Sequence, residues 1–147
     1  MKRKRIYLSI VALILILQFI PVNRDNPIVE ADLIASQNIK TIFKKSCYDC
    51  HSNETKYPIY SYLFPVSFFL QHHIQEAREE LNFSNWENLS ASKKASKASD
   101  ILEEIQNKEM PLFSYTILHR NAILTNEEIQ EIRQWVEEME NQNESSN

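Results

Sequence analysis

The stretch CYDCH, residues 47–51, contains the only two cysteines of the chain, and a histidine directly follows the second of them. The two thiols are spaced by about one turn of a helix, which brings them and the imidazole within reach of a single bound group. Three chemistries use such a pair: covalent attachment of haem, a zinc site, and a dithiol/disulfide redox couple. Which of them applies depends on the fold around the motif, and therefore on the rest of the chain.

The composition predicts an all-α protein. The chain has 147 residues, which suffices for one compact domain with a short appendage, and it contains no glycine. Hairpins and left-handed turns depend on glycine, so its absence argues against a turn-rich β fold. Glu, Lys, Gln, Leu and Ile supply good helix formers instead.

A membrane-directing segment is predicted at the N-terminus. Four basic residues, KRKR at 2–5, precede the uncharged apolar run 6–22. As a helix this run would measure roughly 25 Å, slightly less than a hydrocarbon core of about 30 Å. A basic flank followed by an apolar run is typical of export signals, and the basic side stays in the cytoplasm. The chain after residue 22 is therefore expected on the periplasmic, or outer, side.

Segment 1–22 is expected to stay attached as a single-pass anchor in the cytoplasmic membrane. Residues 22–25 offer no small-x-small cleavage site, and the more permissive residues 29–31 lie far downstream. Cleavage is the alternative, and it would leave a soluble periplasmic protein.

The charge distribution bears on the possible partners. The formal net charge is −4, and the part of the chain that follows the basic N-terminus is more acidic still. An acidic body repels phosphates, so no nucleic-acid partner is expected. A protein partner with a basic face would suit it, although acidic surfaces also serve solubility alone.

Beyond the anchor the sequence divides into a linker (23–31), one domain (32–140) and a polar tail (141–147). Within the domain, apolar residues recur at helical spacing in four segments that are expected to be helices. These segments are 32–46, with Ile34 in its buried stripe, then 67–81, 90–108 and 125–140. Prolines and the loss of helical period predict irregular chain in 52–67 and 109–124.

Two sequence patterns match capping boxes, in which a Ser or Thr and a Glu three residues later cap a helix start reciprocally. Thr125 with Glu128 is expected to open the last helix, and Ser84 with Glu87 a single short helical turn.

Haem attachment accounts for the CxxCH motif best. Cys47 and Cys50 would form thioethers with the two vinyl groups of the haem, and His51 would bind the iron from one face. The aromatic residues that follow the motif suit the enclosure of a porphyrin, and the N-terminal segment independently sends the motif to the exported side, where covalent attachment happens. These aromatic residues are Tyr57, Tyr60, Tyr62 and Phe64.

The second axial ligand of the iron is expected from Met110, which lies in an irregular segment with Pro111 directly after it. A thioether is a soft ligand that suits iron, but a methionine in such a segment also serves as a core residue. His119 is the alternative, either as a ligand or as a hydrogen-bond donor to a haem propionate, and a plain surface histidine would look the same. His72 and His73 are adjacent on a helix, so at most one of them faces inward.

Zinc and redox chemistry fit less well. Structural zinc sites usually add a second pair of ligands at close spacing, which His72 and His73 do not provide. A thioredoxin-like dithiol requires a βαβ context, and no strand pattern is present. A Cys-x-x-Cys disulfide closes so small a loop that it would stabilise the fold little.

Three stretches carry a resemblance to a known family: CYDCHSNETKYPIYSYLFPVS (47–67), LNFSNW (81–86) and EMPLFSYTILHRNAILTNEEIQEIRQW (109–135). In this order they resemble the small haem-binding domain of exported bacterial proteins, within the wider class of c-type cytochromes. The resemblance implies one haem c, held covalently by Cys47 and Cys50 and ligated by His51. It also implies that the helix before the motif packs on the C-terminal helix.

Within the same resemblance, Met110 with Pro111 matches the methionine-proline position that supplies the second axial ligand in many such cytochromes. His119 matches a histidine that recurs in the domain. The sequence therefore predicts a cytochrome c-like helical domain around a single haem, working as a membrane-anchored electron carrier with an unidentified redox protein partner rather than as an enzyme. A haem-based gas sensor or peroxidase-like enzyme with an open axial site is the alternative, and a zinc-binding module the weaker one.

Overall fold

The computed structural model describes residues 2–145, and over that range it contains helices but no β-strand, so the all-α prediction is confirmed. The helices are α1 (Lys2–Leu17), α2 (Gln37–Ser46), α3 (Tyr48–His51), α4 (Val66–Glu80), α5 (Ala91–Gln106), α6 (Phe113–Leu118) and α7 (Asn126–Ser145). Short 3₁₀ helices cover Ile59–Tyr62, Phe83–Asn88 and Arg120–Ala122. Met1 of the predicted anchor and residues 146–147 of the predicted tail lie outside the described residues.

A cluster of buried aromatic rings forms the centre of the domain. The ring of Phe43, near the end of α2, stacks on Phe83 at a centroid distance of 4.9 Å and meets Trp135 of α7 edge-on at 5.1 Å. Tyr48, the first residue of α3, stacks on the other side of Phe83 at 5.1 Å. Such pairs add to the stabilisation that burial of the rings provides. The predicted packing of the helix before the motif on the C-terminal helix is thus confirmed.

The predicted start of the first domain helix at residue 32 is wrong, because α2 begins at Gln37 after the N-cap Ser36. Residues 30–33 hydrogen-bond to the Phe83–Asn88 turn instead; for example, the Leu33 amide donates to the Phe83 carbonyl at 3.0 Å. This extended course buries Leu33 completely and leaves Ile34, which the helical pattern placed in the core, 79% exposed.

One of the two predicted capping boxes is confirmed. Thr125 and Glu128 exchange reciprocal bonds at the start of α7, at 2.9 and 3.2 Å. The pairing of Ser84 with Glu87 is wrong, because Asn82 caps that turn by accepting from the Ser84 amide at 3.0 Å. The Ser84 hydroxyl accepts instead from the amide of Asn53, at 2.9 Å.

The segment after Met110 is more regular than the sequence predicted. It contains α6 and the Arg120–Ala122 turn, because Pro111 lies in the connection between α5 and α6 and leaves the residues after it free to form a helix. At the C-terminus, α7 continues to Ser145, so most of the predicted polar tail is helical. Segment 52–67 agrees better with its prediction, since it contains only the Ile59–Tyr62 turn before α4.

The N-terminal segment begins with α1, which has 16 residues and ends at Leu17. Its apolar side chains are exposed to the surroundings rather than packed on the domain, as Leu8 and Leu15 show. No helix within residues 2–145 combines the length and the apolar character needed to cross a membrane.

Candidate functional site

The CYDCH motif forms a single tight turn directly after α2. The amide of Cys47 still donates to the Phe43 carbonyl at 2.8 Å, so this residue closes the preceding helix. The Cys47 carbonyl then accepts from the amides of Cys50 and His51, at 3.1 and 2.9 Å. The backbone therefore holds Cys47 at the start of the short helix α3, and Cys50 and His51 within it; the first residue of this helix, Tyr48, packs in the aromatic core.

Both thiols are free and only partly exposed to solvent. Burial, assisted by the neighbouring Cys50, raises the pKa of Cys47 to about 12. Burial and the carboxylate of Asp49 raise the pKa of Cys50 to about 11. At neutral pH both groups are protonated thiols rather than thiolates, which disfavours an electrostatically activated redox dithiol.

The tautomer of His51 follows from its hydrogen bonds. Its Nδ1 lies 3.0 Å from the carbonyl oxygen of Ala77 and 3.2 Å from that of Leu81, at the end of α4. Carbonyl oxygens only accept, so Nδ1 carries the proton and donates it, and Nε2 keeps a free lone pair. Burial lowers the pKa of His51, against the opposing effect of these two bonds. The imidazole is thus oriented and neutral, as a metal-ligating histidine has to be.

Three of the predicted site residues line one cavity of about 410 Å³: Cys47, His51 and Met110. This volume is in the range of sites that bind small molecules and cofactors. The apolar part of the wall comes from the chain after α4, from α5 and from the segment before α7. Its residues are Leu81, Phe83, Ile101, Ile105, Pro111 and Leu124.

Charged side chains also line the cavity, and the sequence pattern did not point to them. Glu80 of α4 accepts a hydrogen bond from Lys97 of α5, and Asp100, Glu103 and Glu104 follow on α5. Glu80 and Lys97 belong to different helices, so no local spacing relates them. The combination of an apolar interior and charged groups suits a flat apolar cofactor that carries polar substituents at its edge.

Cys50, in contrast, is not among the described residues that line this cavity. Its neighbours are Tyr60 and Tyr115. Burial is the main cause that raises the pKa of both phenols, and the proximity of Cys50 raises it further. The adjacent Asp49 accepts a 2.7 Å hydrogen bond from the Tyr115 hydroxyl. The Asp49–Tyr115 bond joins the motif to α6, and no motif in the sequence indicated it.

His119 lies with this second group and not in the cavity. Its ring stacks on Tyr115 at 4.2 Å and meets Tyr60 edge-on at 6.0 Å. Its Nδ1 is 3.2 Å from the Tyr115 carbonyl oxygen, to which it donates. The two histidines of α4, His72 and His73, are exposed and both face Glu76. The structure therefore brings Met110, rather than any other histidine, to the cavity of His51.

A metal site made of side chains alone has no support in the described structure. Within residues 2–145, no group of three or more His, Cys, Asp or Glu side chains is arranged to hold a metal ion.

A helical shell, a CxxCH turn and a cavity with an oriented imidazole together define a cofactor-binding helical domain. The family model described as a haem-binding domain matches residues 12–138, which is most of the chain. The chain therefore belongs to the haem-binding domain family, as the sequence resemblance predicted, and haem is its ligand. Comparison with curated proteins and with solved structures found no match.

The residues of the cavity fit a haem on chemical grounds. The unprotonated Nε2 of His51 suits the iron, the apolar wall suits the macrocycle, and Met110 contributes a soft sulfur to the same cavity. Lys97, which is paired with Glu80, is the basic side chain of the described cavity wall.

The Asp49–Tyr115 bond is expected to stabilise the fold measurably. Tyr115→Phe removes the donor and leaves the Asp49 carboxylate partly desolvated, which should lower the free energy of unfolding by about 1.5–3 kcal/mol. Urea denaturation of the full chain in a mild detergent measures this change. Tyr62→Phe is the matched control, because that ring is exposed and the change should be within about 0.5 kcal/mol. Equal effects of the two substitutions would contradict the role of this bond.

Proposed function

We propose that this protein is an exported, membrane-anchored, single-haem c-type cytochrome that transfers electrons. The observation that carries the proposal is the neutral, oriented His51, whose cavity also contains Cys47 and Met110. Haem iron exchanges one electron at a time, and iron with both axial positions filled does so without binding a substrate. An electron carrier needs only what this cavity contains: an enclosing apolar wall and two ligands.

Covalent attachment through Cys47 and Cys50 is the first part of the proposal. Both are free, protonated thiols on one helical turn, which is the state and the spacing that thioether formation requires. Cys47 lies in the cavity wall, whereas the side chain of Cys50 has to turn away from Tyr60 and Tyr115 to reach the same macrocycle. The two thiols are therefore expected to differ in how readily they react.

Replacement of both cysteines tests the covalent bonds. Cys47→Ala with Cys50→Ala should abolish haem staining on a denaturing gel after expression in a host that matures c-type cytochromes, because no thioether is left. Met110→Ala is the matched control and should keep the stain. If the double variant still stains, or if the wild type purifies with zinc and without a Soret band, covalent haem attachment is wrong. Each single variant should stain, with a spectrum shifted by the remaining vinyl group.

The axial pair His51 and Met110 is the second part. Met110 and the adjacent Pro111 line the cavity of His51, whereas His119 stacks on Tyr115 outside it. This arrangement favours methionine over a second histidine, and a methionine ligand raises the reduction potential. The acidic side chains around the cavity suit a redox partner with a basic face, since complementary charges speed encounter.

Ligand variants separate these possibilities. Met110→Ala should remove the weak near-infrared band of sulfur-to-iron charge transfer, open the iron to carbon monoxide and lower the reduction potential. His119→Ala is the control and should leave the band unchanged. If His119→Ala opens the iron while Met110→Ala leaves the spectrum intact, the pair is bis-histidine. Rapid binding of carbon monoxide to the wild type would instead favour the gas sensor or peroxidase-like enzyme.

Export and anchoring are the third part. Support comes from the basic residues 2–5, from the uncharged run 6–22, which continues beyond the end of α1, and from the exposed apolar side chains of that helix. Such a segment retains its basic end in the cytoplasm and holds the domain at the outer face of the cytoplasmic membrane.

A topology reporter tests this part. An enzyme that is active only outside the cytoplasm, fused after Asn147, should be active. Replacing residues 2–5 by glutamate should reduce its activity severalfold, because the positive flank sets the orientation. Mass spectrometry of the membrane fraction should recover residues 1–22 attached to the domain. Recovery of a soluble chain that starts near Asp32 would instead show cleavage.

A further inference from the structure

We propose that the apolar side chains of residues 59–69 form a second membrane contact, by which the domain rests on the outer surface of the bilayer. This inference rests on the proposed membrane anchoring of segment 6–22. The outer patch, as we name it, consists of the exposed apolar residues Ile59, Tyr62, Leu63, Val66, Phe68 and Phe69.

The outer patch is unusual for a surface facing water. Ile59 is 86% exposed and Phe69 is 65% exposed, although both side chains are large and apolar. Tyr62, Leu63 and Val66 are exposed as well, whereas Ser61 and Ser67 between them face inward, and the Ile59–Tyr62 turn packs against α4, so the exposed apolar side chains lie on neighbouring elements. Exposed apolar surface of this kind marks contact with a protein or with a membrane.

Hydrogen bonds fasten the outer patch to the end of the N-terminal apolar segment. The Phe64 amide donates to Oε1 of Gln18 at 3.0 Å, and Nε2 of Gln18 donates to the Phe64 carbonyl at 3.4 Å. Arg24 donates from Nε and Nη2 to the Ser61 carbonyl at 3.0 and 2.8 Å. Two residues of the segment that leaves α1 thus bind the backbone on either side of the patch residues Tyr62 and Leu63.

A lipid bilayer is the occupant that covers both apolar surfaces at once. The side chains of α1 are exposed, and the outer patch begins where this apolar segment ends. A second copy or a soluble partner on the patch would still leave α1 in water. Aromatic rings and an arginine at this position match the residues that gather at the headgroup level of membranes. The guanidinium of Arg24 lies 4.2 Å from the centroid of the Tyr62 ring.

This contact sets the position of the haem cavity relative to the membrane. Phe68 and Phe69 lie in the first turns of α4, whereas the carbonyls that hold His51 belong to Ala77 and Leu81 at its other end. The distance along the helix is roughly 12–18 Å. With the outer patch on the lipid, the cavity is held at the far end of α4, in reach of a partner that approaches from solution.

Photolabelling of the full chain tests the proposal. The protein is reconstituted into vesicles of phosphatidylcholine and phosphatidylglycerol that contain a small fraction of phospholipid with a diazirine near the headgroup, and adducts are mapped by mass spectrometry. We expect adducts in residues 6–20 and in residues 59–69. Residues 112–123 are the matched control, because Phe113, Ile117 and Leu118 are also exposed but, within the part of the chain that the structure describes, are not hydrogen-bonded to Gln18 or Arg24.

The outcomes separate this inference from the anchoring on which it rests. Adducts in 6–20 without adducts in 59–69 would overturn the second contact and leave the anchor intact. No adducts in either region would overturn both. Equal labelling of 59–69 and 112–123 would show non-specific contact, and loss of lipid adducts from 59–69 on formation of a dimer would assign the outer patch to a second copy.

Substitutions in the outer patch provide a second test. Phe68→Ser with Phe69→Ser should reduce labelling of 59–69 severalfold, with labelling of 6–20 and the haem spectrum unchanged. Gln18→Ala with Arg24→Ala should lower the same labelling by releasing the domain from the end of the segment. Unchanged labelling of 59–69 in both variants would overturn the proposal.

Discussion

The pair of hydrogen bonds from His51 to the end of α4 is the constraint on which the site depends. The helix ends at Glu80, so the Leu81 carbonyl has no following turn of helix to donate to it. The imidazole takes that place, at 3.2 Å, and shares the Ala77 carbonyl with the amide of Leu81. These two bonds satisfy an acceptor at the end of the helix and fix the tautomer of His51. Two residues after Leu81, Phe83 lies in both the cavity wall and the aromatic core.

A polar network around Arg78 secures the other side of the motif. Its Nε donates to the Ser52 carbonyl at 2.8 Å, directly after His51, and its Nη2 bonds Thr55 and Asn26 at 2.8 and 2.7 Å. The chain that leaves the motif is therefore tied to α4 and to the linker. Because buried polar groups are costly unless they are paired, such a network favours one arrangement of the chain over others. Hydrogen bonds thus join α4 to the motif at two places: from His51 of the motif to the end of the helix, and from Arg78 of the helix to Ser52 directly after the motif.

Features that depend on residues a few positions apart could be predicted from the sequence. Contacts between segments that are distant in the sequence could not. The all-α fold predicted from the composition and the Thr125–Glu128 box agree with the structure, and the haem ligand predicted from CxxCH agrees with the family match. The carbonyl partners of His51 lie 26 and 30 residues away, so no pattern indicates them. Ser84 does not cap the turn, because its hydroxyl accepts a hydrogen bond from the amide of Asn53, which is far away in the sequence. The helical spacing of apolar residues predicted a buried Ile34, because such spacing contains no information about the backbone hydrogen bonds between residues 30–33 and the Phe83–Asn88 turn.

The segment from Met110 to Tyr115 crosses the motif and contacts both of its sides. Met110 lies in the cavity with Cys47, and Tyr115 bonds Asp49 beside Cys50. A movement of α3 that turned Cys50 toward the cavity would also move Asp49, and through its bond to Tyr115 the helix that follows Met110. The position of the second thiol and the position of the methionine are therefore mechanically coupled. A shift on one side of the motif is therefore transmitted to the other side, since one short segment makes both contacts.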